Sequence, residues 1–332
     1  MKAAYITRTG DPDVIEYGDL PEPEPGSGQV LVRTEAVAVN PIDTYVRGGL
    51  VSIELDYPYT IGCDLAGVVE ACGEGVDRFT VGDRVWGSNQ GLLGRAGTFS
   101  ELAAVDQQWL YGAPDGVSSE LLAAGALVGL TAHLGLFLHA GVAGDDLVFV
   151  NGGTGGVGAA VVQLAKGAGA RVAATVGSPE KQEICRSLGA DLVVDYHDPD
   201  MDQILAEFAA ENGGIDVWFE TLREPTPERT IELMAKRGRI VLMAGRAARP
   251  EFPVGPFYTK DLRLFGFAMF NASADEQRIC GERINELAAA GGWNPPIGAR
   301  FPLSDSVAAH QLQQDNTIGG LGTLAGKIVL TP

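Results

Sequence analysis

Residues 145–158 read D-D-L-V-F-V-N-G-G-T-G-G-V-G, and the organisation of the chain follows from them. Leu147 to Val150 form an unbroken apolar run, which suits a strand buried on both faces of a parallel sheet. A glycine-dense turn comes next. Val157, Val161, Leu164 and Ala165 then recur at helical spacing up to Gly167 and Gly169. Strand, turn and helix together span about 25 residues, the length of half a βαβ unit. Within the turn, Gly153, Gly155 and Gly158 make G-x-G-x-x-G, with Thr154, Gly156 and Val157 between them. The first glycine permits a tight turn, the second lets backbone approach a pyrophosphate, and the third lets helix pack closely on strand. Unpaired N–H groups at the helix start face the anion.

The flanking sequence strengthens a nucleotide-binding reading. A second strand is expected at 171–176 and a helix at 180–188, stopped by Gly189. Strands at 192–196, 215–220, 239–244 and 262–267 follow, with helices at 201–211 and 227–237. Strand alternating with helix is the doubly wound pattern, in which ligands bind beyond the carboxyl ends of the strands. The end of the second strand speaks to the type of dinucleotide. An Asp or Glu there would hold a ribose 2′-hydroxyl, but the residues are Thr175, Val176, Gly177 and Ser178. Lys181 follows, where its ammonium and the Ser178 hydroxyl could meet a 2′-phosphate. A lysine opposes the dipole at a helix N-terminus and the chain has only six, so NADPH is the expected cofactor.

The composition agrees with two ordinary domains in 332 residues, 45% hydrophobic and 20% charged. A net charge of −19 argues against nucleic acid, whose phosphates need clustered Lys and Arg. An anionic cofactor must therefore be held by a local cationic pocket against the overall field. Cys63, Cys72, Cys185 and Cys280 show neither CxxC nor finger spacing, as free thiols in a reducing cytoplasm would. The first residues enter a strand-like segment without the apolar core of a secretory signal. The stretch 123–140 could mimic a membrane span. It holds Thr131, His133 and His139 among many small residues, which suits close packing in a soluble core, so no membrane partner is expected.

The first 120 residues have another texture. Segments 2–8, 14–17, 30–38 and 67–70 are Val-rich with Gly, Pro and Asp punctuation, as short strands of a barrel-like region would be. After Phe270, a helix from Ser273 with Glu276 completing a capping box, a helix near Ser304 and a strand at 327–330 remain. So short a tail cannot easily hold its own core. The expected domains are thus 1–123 and 269–332 forming one body, and 124–268 an inserted dinucleotide domain, with the cofactor in the cleft between them.

At this point the chain resembles a family. V-N-P-I-D-T-Y-V-R-G-G at 39–49, P-Y-T-I-G-C-D-L-A-G-V-V at 58–69, G-D-R-V from Gly82, G-G-T-G-G-V-G at 152–158 and A-G-K-I-V-L near the end are similar to the zinc-free, zeta-crystallin-like quinone oxidoreductases. These form a branch of the medium-chain dehydrogenase/reductase superfamily. The resemblance implies an α/β chain with a Rossmann domain inserted into a GroES-like barrel, NADPH as hydride donor, and quinones or other conjugated carbonyls as acceptors. Zinc relatives place a cysteine where this chain has Asn40 and Gly-His-Glu where it has Gly62-Cys63-Asp64. The four-cysteine structural lobe is also missing, so too few donors remain for a tetrahedral site and no metal is expected. Cys63 stands where a serine is usual in this branch, and both it and Asp64 read as structural.

By the same resemblance Asn40, Asp43 and Tyr45 lie along the nicotinamide side, with Asn40 and Tyr45 as hydrogen-bond donors. Asn40 before Pro41 also makes a good N-cap, and Asp43 could cap the short helix. Tyr196 would flank the adenine ribose. Met243, Ala244, Gly245 and Arg246 would lie over the nicotinamide ribose, although the usual Gly-Ser reads Ala244-Gly245 here. Thr131 and Phe270 would meet the nicotinamide end, and Tyr59, Trp86 and Phe257 are candidate walls of the quinone pocket. Three activities fit: quinone reduction, reduction of an enone or enal double bond, or non-catalytic dinucleotide binding as in crystallins. The edge strand near 262–267 resembles one that pairs between subunits, implying a homo-oligomer, dimer or tetramer.

Overall fold

The computed structural model describes residues 1–51 and 53–332. The chain divides into two compact units: Met1–Leu127 with Ser273–Gly291 and Pro295–Pro332, and Val128–Ala272 with Gly292–Asn294. In chain order the first unit contributes strands β1 (Lys2–Ile6), β2 (Ile15–Asp19), β3 (Gln29–Val39), β4 (Tyr59–Thr60), β5 (Asp64–Cys72), β6 (Arg84–Gly87), β7 (Leu102–Asp106) and β8 (Leu110–Gly112). Helix α1 (Pro41–Arg47) follows β3, and α2 (Ser119–His133) carries the chain across the boundary, which falls inside that helix. The helical stretch Ser119–His139 is long and apolar enough to cross a membrane, but its most apolar 18-residue window is 78% buried in the protein, as suits a core helix.

The second unit alternates β9 (Leu147–Val150), α3 (Gly156–Gly167), β10 (Arg171–Val176), α4 (Pro179–Ser187), β11 (Leu192–Asp195), α5 (Met201–Glu211), β12 (Ile215–Glu220), α6 (Pro227–Leu233), β13 (Met234–Leu242), α7 (Val254–Thr259) and β14 (Arg263–Gly266). All pairings are parallel, in the order β11-β10-β9-β12-β13-β14. That is the doubly wound order whose reversal point lies at β9. Leu147 to Val150 are buried on both faces, which is why the run is continuous rather than alternating. Helix α6 stops at Leu233, four residues before the expected end. Met234 instead pairs with Ile215 of β12, and the Lys260 ammonium collects the carbonyls of Ile231, Glu232 and Met234, satisfying a helix end that sequence periodicity would have prolonged.

The tail supplies α8 (Ala274–Ala289), β15 (Ile297–Pro302), α9 (Ser306–Thr317) and β16 (Lys327–Thr331). Ser273 and Glu276 form the capping box, with the Ser273 N–H donating to the Glu276 carboxylate at 2.8 Å. Strand β16 pairs antiparallel with β3, Ile328 opposite Val39, so the last strand completes the sheet of the first unit. Its core joins strands from both sequence segments: Val37, Val39, Leu65, Val85 and Phe99 pack with Leu303, Ala309, Ile328 and Leu330. Strand β15, which pairs with β16, had no expectation from sequence because its alternation of small and polar residues, I-G-A-R-F-P, carries a weak signal.

Candidate functional site

The glycine turn of the second unit is built from backbone. Strand β9 ends at Val150, and Gly152 takes φ +67° to begin the bend. A β-carbon on Gly158 would lie 2.1 Å from the Gly152 carbonyl oxygen, and one on Gly153 would strike Cys185 Sγ and the Ala174 methyl. Both positions are closed to any side chain. On Gly155 the same atom would meet only that carbonyl, at 3.3 Å, so the space above the turn is open to a ligand. Gly155 is also the N-cap of α3 and brings no side chain to it, leaving the first N–H groups of the helix to serve a phosphate. Thr154 is buried beneath the turn. These features fit a pyrophosphate.

Beneath the turn lies a polar network that sequence reading missed. Asn151 donates to both oxygens of the buried Glu220, at 3.1 and 3.3 Å, and accepts from Thr175. Glu220 also takes the Trp218 indole N–H and the Leu222 N–H. A carboxylate ending the apolar run I-D-V-W-F-E was the available clue. It ties β9, β10 and β12 together at their carboxyl ends, where the turn must stay rigid.

At the end of β10, Ser178 is the N-cap of α4: its Oγ accepts the Lys181 N–H at 3.3 Å. Glu180, exposed in the first turn, is held below the usual carboxylate range by its own N–H and by the Ser178 hydroxyl. The Ser178 oxygen thus caps the helix, and the carboxylate of Glu180 lies beside its hydroxyl. Lys181 is half-buried in the same turn, and burial lowers its pKa. A β-carbon on Gly177 would collide with the Tyr196 hydroxyl, so that ring, 45% exposed, lies over Gly177. Met243 to Arg246 form the loop after β13, with Gly245 at φ +83° and Arg246 exposed. Thr131 is buried in the last turns of α2, and Phe270 is half-buried in a short 3-10 turn.

In the first unit, Asn40 is fully buried at the N-terminus of α1. Its amide Nδ2 donates to Asp64 Oδ2 at 2.8 Å and to the Ala38 carbonyl at 3.3 Å, and its Oδ1 accepts from the Lys327 ammonium. Both amide hydrogens are therefore engaged inside the protein, which corrects Asn40 from a donor to an acceptor molecule into a structural anchor. Asp43 accepts the Asn40 N–H at 2.7 Å, closing the turn into α1. Asp64 takes the Leu127 N–H of α2 at 3.1 Å through its other oxygen. Lys327 donates again to the Val39 carbonyl at 2.6 Å. Burial pushes the Asp43 carboxyl up to about 7, with Asp64 adding to the rise and the Cys63 thiol, the Asn40 N–H and Lys327 opposing it. Burial raises Asp64 and the Cys63 thiol too, and lowers Lys327.

Tyr45 is half-buried on α1, one turn beyond Asn40. Of the three expected pocket walls, Trp86 and Tyr59 are buried and Phe257 is half-buried. Trp86 is 1% exposed, donates its indole N–H to Asn285 Oδ1 at 2.9 Å and stacks 4.8 Å from Tyr111. Tyr59 is buried beside Cys63 and Asp43, its hydroxyl on the Arg95 carbonyl. Phe257 packs on the core of the second unit, 5.0 Å from the Phe252 ring. Among the described residues no three His, Cys, Asp or Glu side chains converge as a metal-ligand set.

Comparison with known proteins agrees with this architecture. Residues 26–115 match the alcohol dehydrogenase GroES-like domain and residues 156–284 the zinc-binding dehydrogenase domain. The chain is 30% identical to the quinone oxidoreductase of Homo sapiens, covering 99% of this chain and 97% of that protein. It belongs to the quinone oxidoreductases of the medium-chain dehydrogenase/reductase superfamily. A 2-haloacrylate reductase of Burkholderia sp is 29% identical over all of this oxidoreductase and 99% of its own length. Among solved structures, a mycobacterial enzyme complexed with NADPH superposes over the whole of both chains with a TM-score of 0.84 at 30% identity, and an NAD-dependent alcohol dehydrogenase does so at 0.87 and 31%.

Lys327 was the main residue of this oxidoreductase that sequence reading passed over. A lysine heading the otherwise apolar, fully buried run I-V-L is anomalous, since lysine is almost never fully buried without partners. That anomaly was the signal.

Proposed function

We propose that the protein is an NADPH-dependent, zinc-independent reductase of quinones. The observation that carries the cofactor is the glycine turn: closed at Gly153 and Gly158, open above Gly155, and followed by a strand that ends without a carboxylate beside Lys181. The α3 N-terminus and residues 153–158 would hold the pyrophosphate, Lys181 the 2′-phosphate, and Tyr196 the adenine ribose. The bound cofactor supplies a hydride from the nicotinamide ring. A quinone accepts hydride readily, so the protein need only orient the acceptor, exclude water and donate hydrogen bonds to the developing quinol oxygen. Tyr45 is the donor this reading retains, with Asn40 and Asp43 setting its helix. The buried Lys327 ammonium, bonded to Asn40 and acting electrostatically on Asp64 and Asp43, supports a reading without zinc.

The test is consumption of NADPH, followed at 340 nm, with 1,2-naphthoquinone in the presence of chelator. Steady oxidation is expected. Binding of NADPH without turnover of any quinone or enone would instead favour a non-catalytic binding protein. The likeness to a 2-haloacrylate reductase favours a second reading, reduction of a conjugated double bond, which also requires a proton at the neighbouring carbon. Assembly into a homo-oligomer is part of the proposal: β14 is an edge strand paired only with β13, and Leu264 on it is 45% exposed. Light scattering showing a monomer would remove it.

A further inference from the structure

We infer that Lys327 is a positioning residue for the acceptor side of this enzyme: its buried ammonium locks the Asn40 amide, and through Asn40 and Asp43 the start of the helix that carries Tyr45. This rests on the proposed reductase function for its kinetic consequence, but its structural basis is independent. The ammonium donates to Asn40 Oδ1 and to the Val39 carbonyl, and Asn40 Nδ2 donates to Asp64. The amide thus bridges a cation at its oxygen and a carboxylate at its nitrogen. Turning it over would set NH2 against ammonium and oxygen against carboxylate, so one orientation is imposed.

The same asparagine donates its backbone N–H to Asp43, the third residue of α1, so the first turn of that helix is referenced to the bridge. Tyr45 lies two residues further on. The lysine is placed by strand register: Ile328 pairs with Val39, and Lys327 and the three residues after it are buried, which holds its side chain away from solvent. The ammonium bonds Asn40 Oδ1 and the Val39 carbonyl, and Asp64, Asp43 and Cys63 act on it electrostatically. A neutral donor in its place would still orient the amide but leave two carboxyls without a countercharge.

The experiment compares the wild-type chain with Lys327→Gln and with Lys327→Met/Asp64→Asn, which removes both charges. NADPH affinity is read by fluorescence, kcat and KM with NADPH and 1,2-naphthoquinone, and melting temperature by scanning fluorimetry. For Lys327→Gln the expected result is NADPH affinity unchanged within about twofold, kcat lowered by up to about a hundredfold as a displaced site would show, and an acid limb of the kcat profile moved to higher pH. The double variant should recover melting temperature but not kcat. A kcat within threefold of wild type in either variant overturns the inference, as does a loss that follows the folded fraction with an unmoved pH profile. Unfolding of both variants assigns the lysine to the fold alone and also overturns it. If the wild-type chain turns over no quinone, the reductase reading falls, while recovery of melting temperature in the double variant still shows the Lys327 to Asp64 link.

Discussion

The glycine turn of the second unit and the buried Asn40 cluster of the first are both polar sites beside apolar strands, yet they are built oppositely. The turn spans residues 152–158 and is made of backbone, with its shape set by what a β-carbon would strike. The cluster is made of side chains from residues 40, 43, 64 and 327, brought together by strand pairing across almost the whole chain. A local backbone site like this one tolerates no added atom at Gly153 or Gly158 but loses little from distant changes. A site assembled from buried charges tolerates volume changes better than the loss of one partner, because the survivor is left uncompensated.

Four substitutions test that contrast, from the largest expected effect down. Lys327→Met should destabilise the chain by about 3–5 kcal/mol in urea unfolding, the usual cost of stranding a buried charge; a loss below ~1 kcal/mol would show that Asp64 never needed the cation. Gly158→Ala places a methyl 2.1 Å from a backbone oxygen, so a loss of about 1–3 kcal/mol is expected together with weakened NADPH binding. Unchanged binding there would break the account of the turn. Lys181→Glu should weaken NADPH by at least about tenfold, the scale of a lost charge-assisted hydrogen bond, and NADH much less. Equal losses for both cofactors would remove the 2′-phosphate assignment. Glu180→Gln, which removes a carboxylate from the Ser178 hydroxyl, should tighten NADPH slightly, by less than about threefold for one exposed charge.

The cluster also has a pH signature that the turn lacks. Asp43, raised from its ordinary 3.8 to about 7, keeps in the folded chain a proton that the unfolded chain has lost. Its contribution to stability is therefore complete below the ordinary carboxylate range and is lost as pH rises through 7. Wild type should melt at progressively lower temperature between pH 5 and 8. Asp43→Asn, which can still accept the Asn40 N–H, should show a shallower decline, with Asp64 supplying the remainder. Parallel melting curves for the two would contradict the buried placement of Asp43.

Much of the fold was legible because it is written in local periodicity. The alternating elements of residues 147–220, the capping box at Ser273 and the last strand each show a pattern within a few residues. Helix α6 was over-extended because Met234, a good helix former, is claimed by pairing with Ile215. The site was legible in halves. Gly153 and Gly158 announce their role, since the fold leaves no room there for a β-carbon, and Gly155 announces its own by spacing, since it leaves the turn open for a ligand. Asn40 was found but its partners were not, because an exposed donor and a buried bridge have the same letter.

By itself, then, the sequence determined the parallel sheet, the glycine turn and the absence of a carboxylate after β10, because each depends on residues adjacent in the chain. Only the tertiary structure decided that Trp86 and Tyr59 are buried and that Lys327 stands against Asn40. Those outcomes depend on groups that lie 36 to 287 positions apart in the chain, and burial, not residue type, then sets what each polar atom can still do.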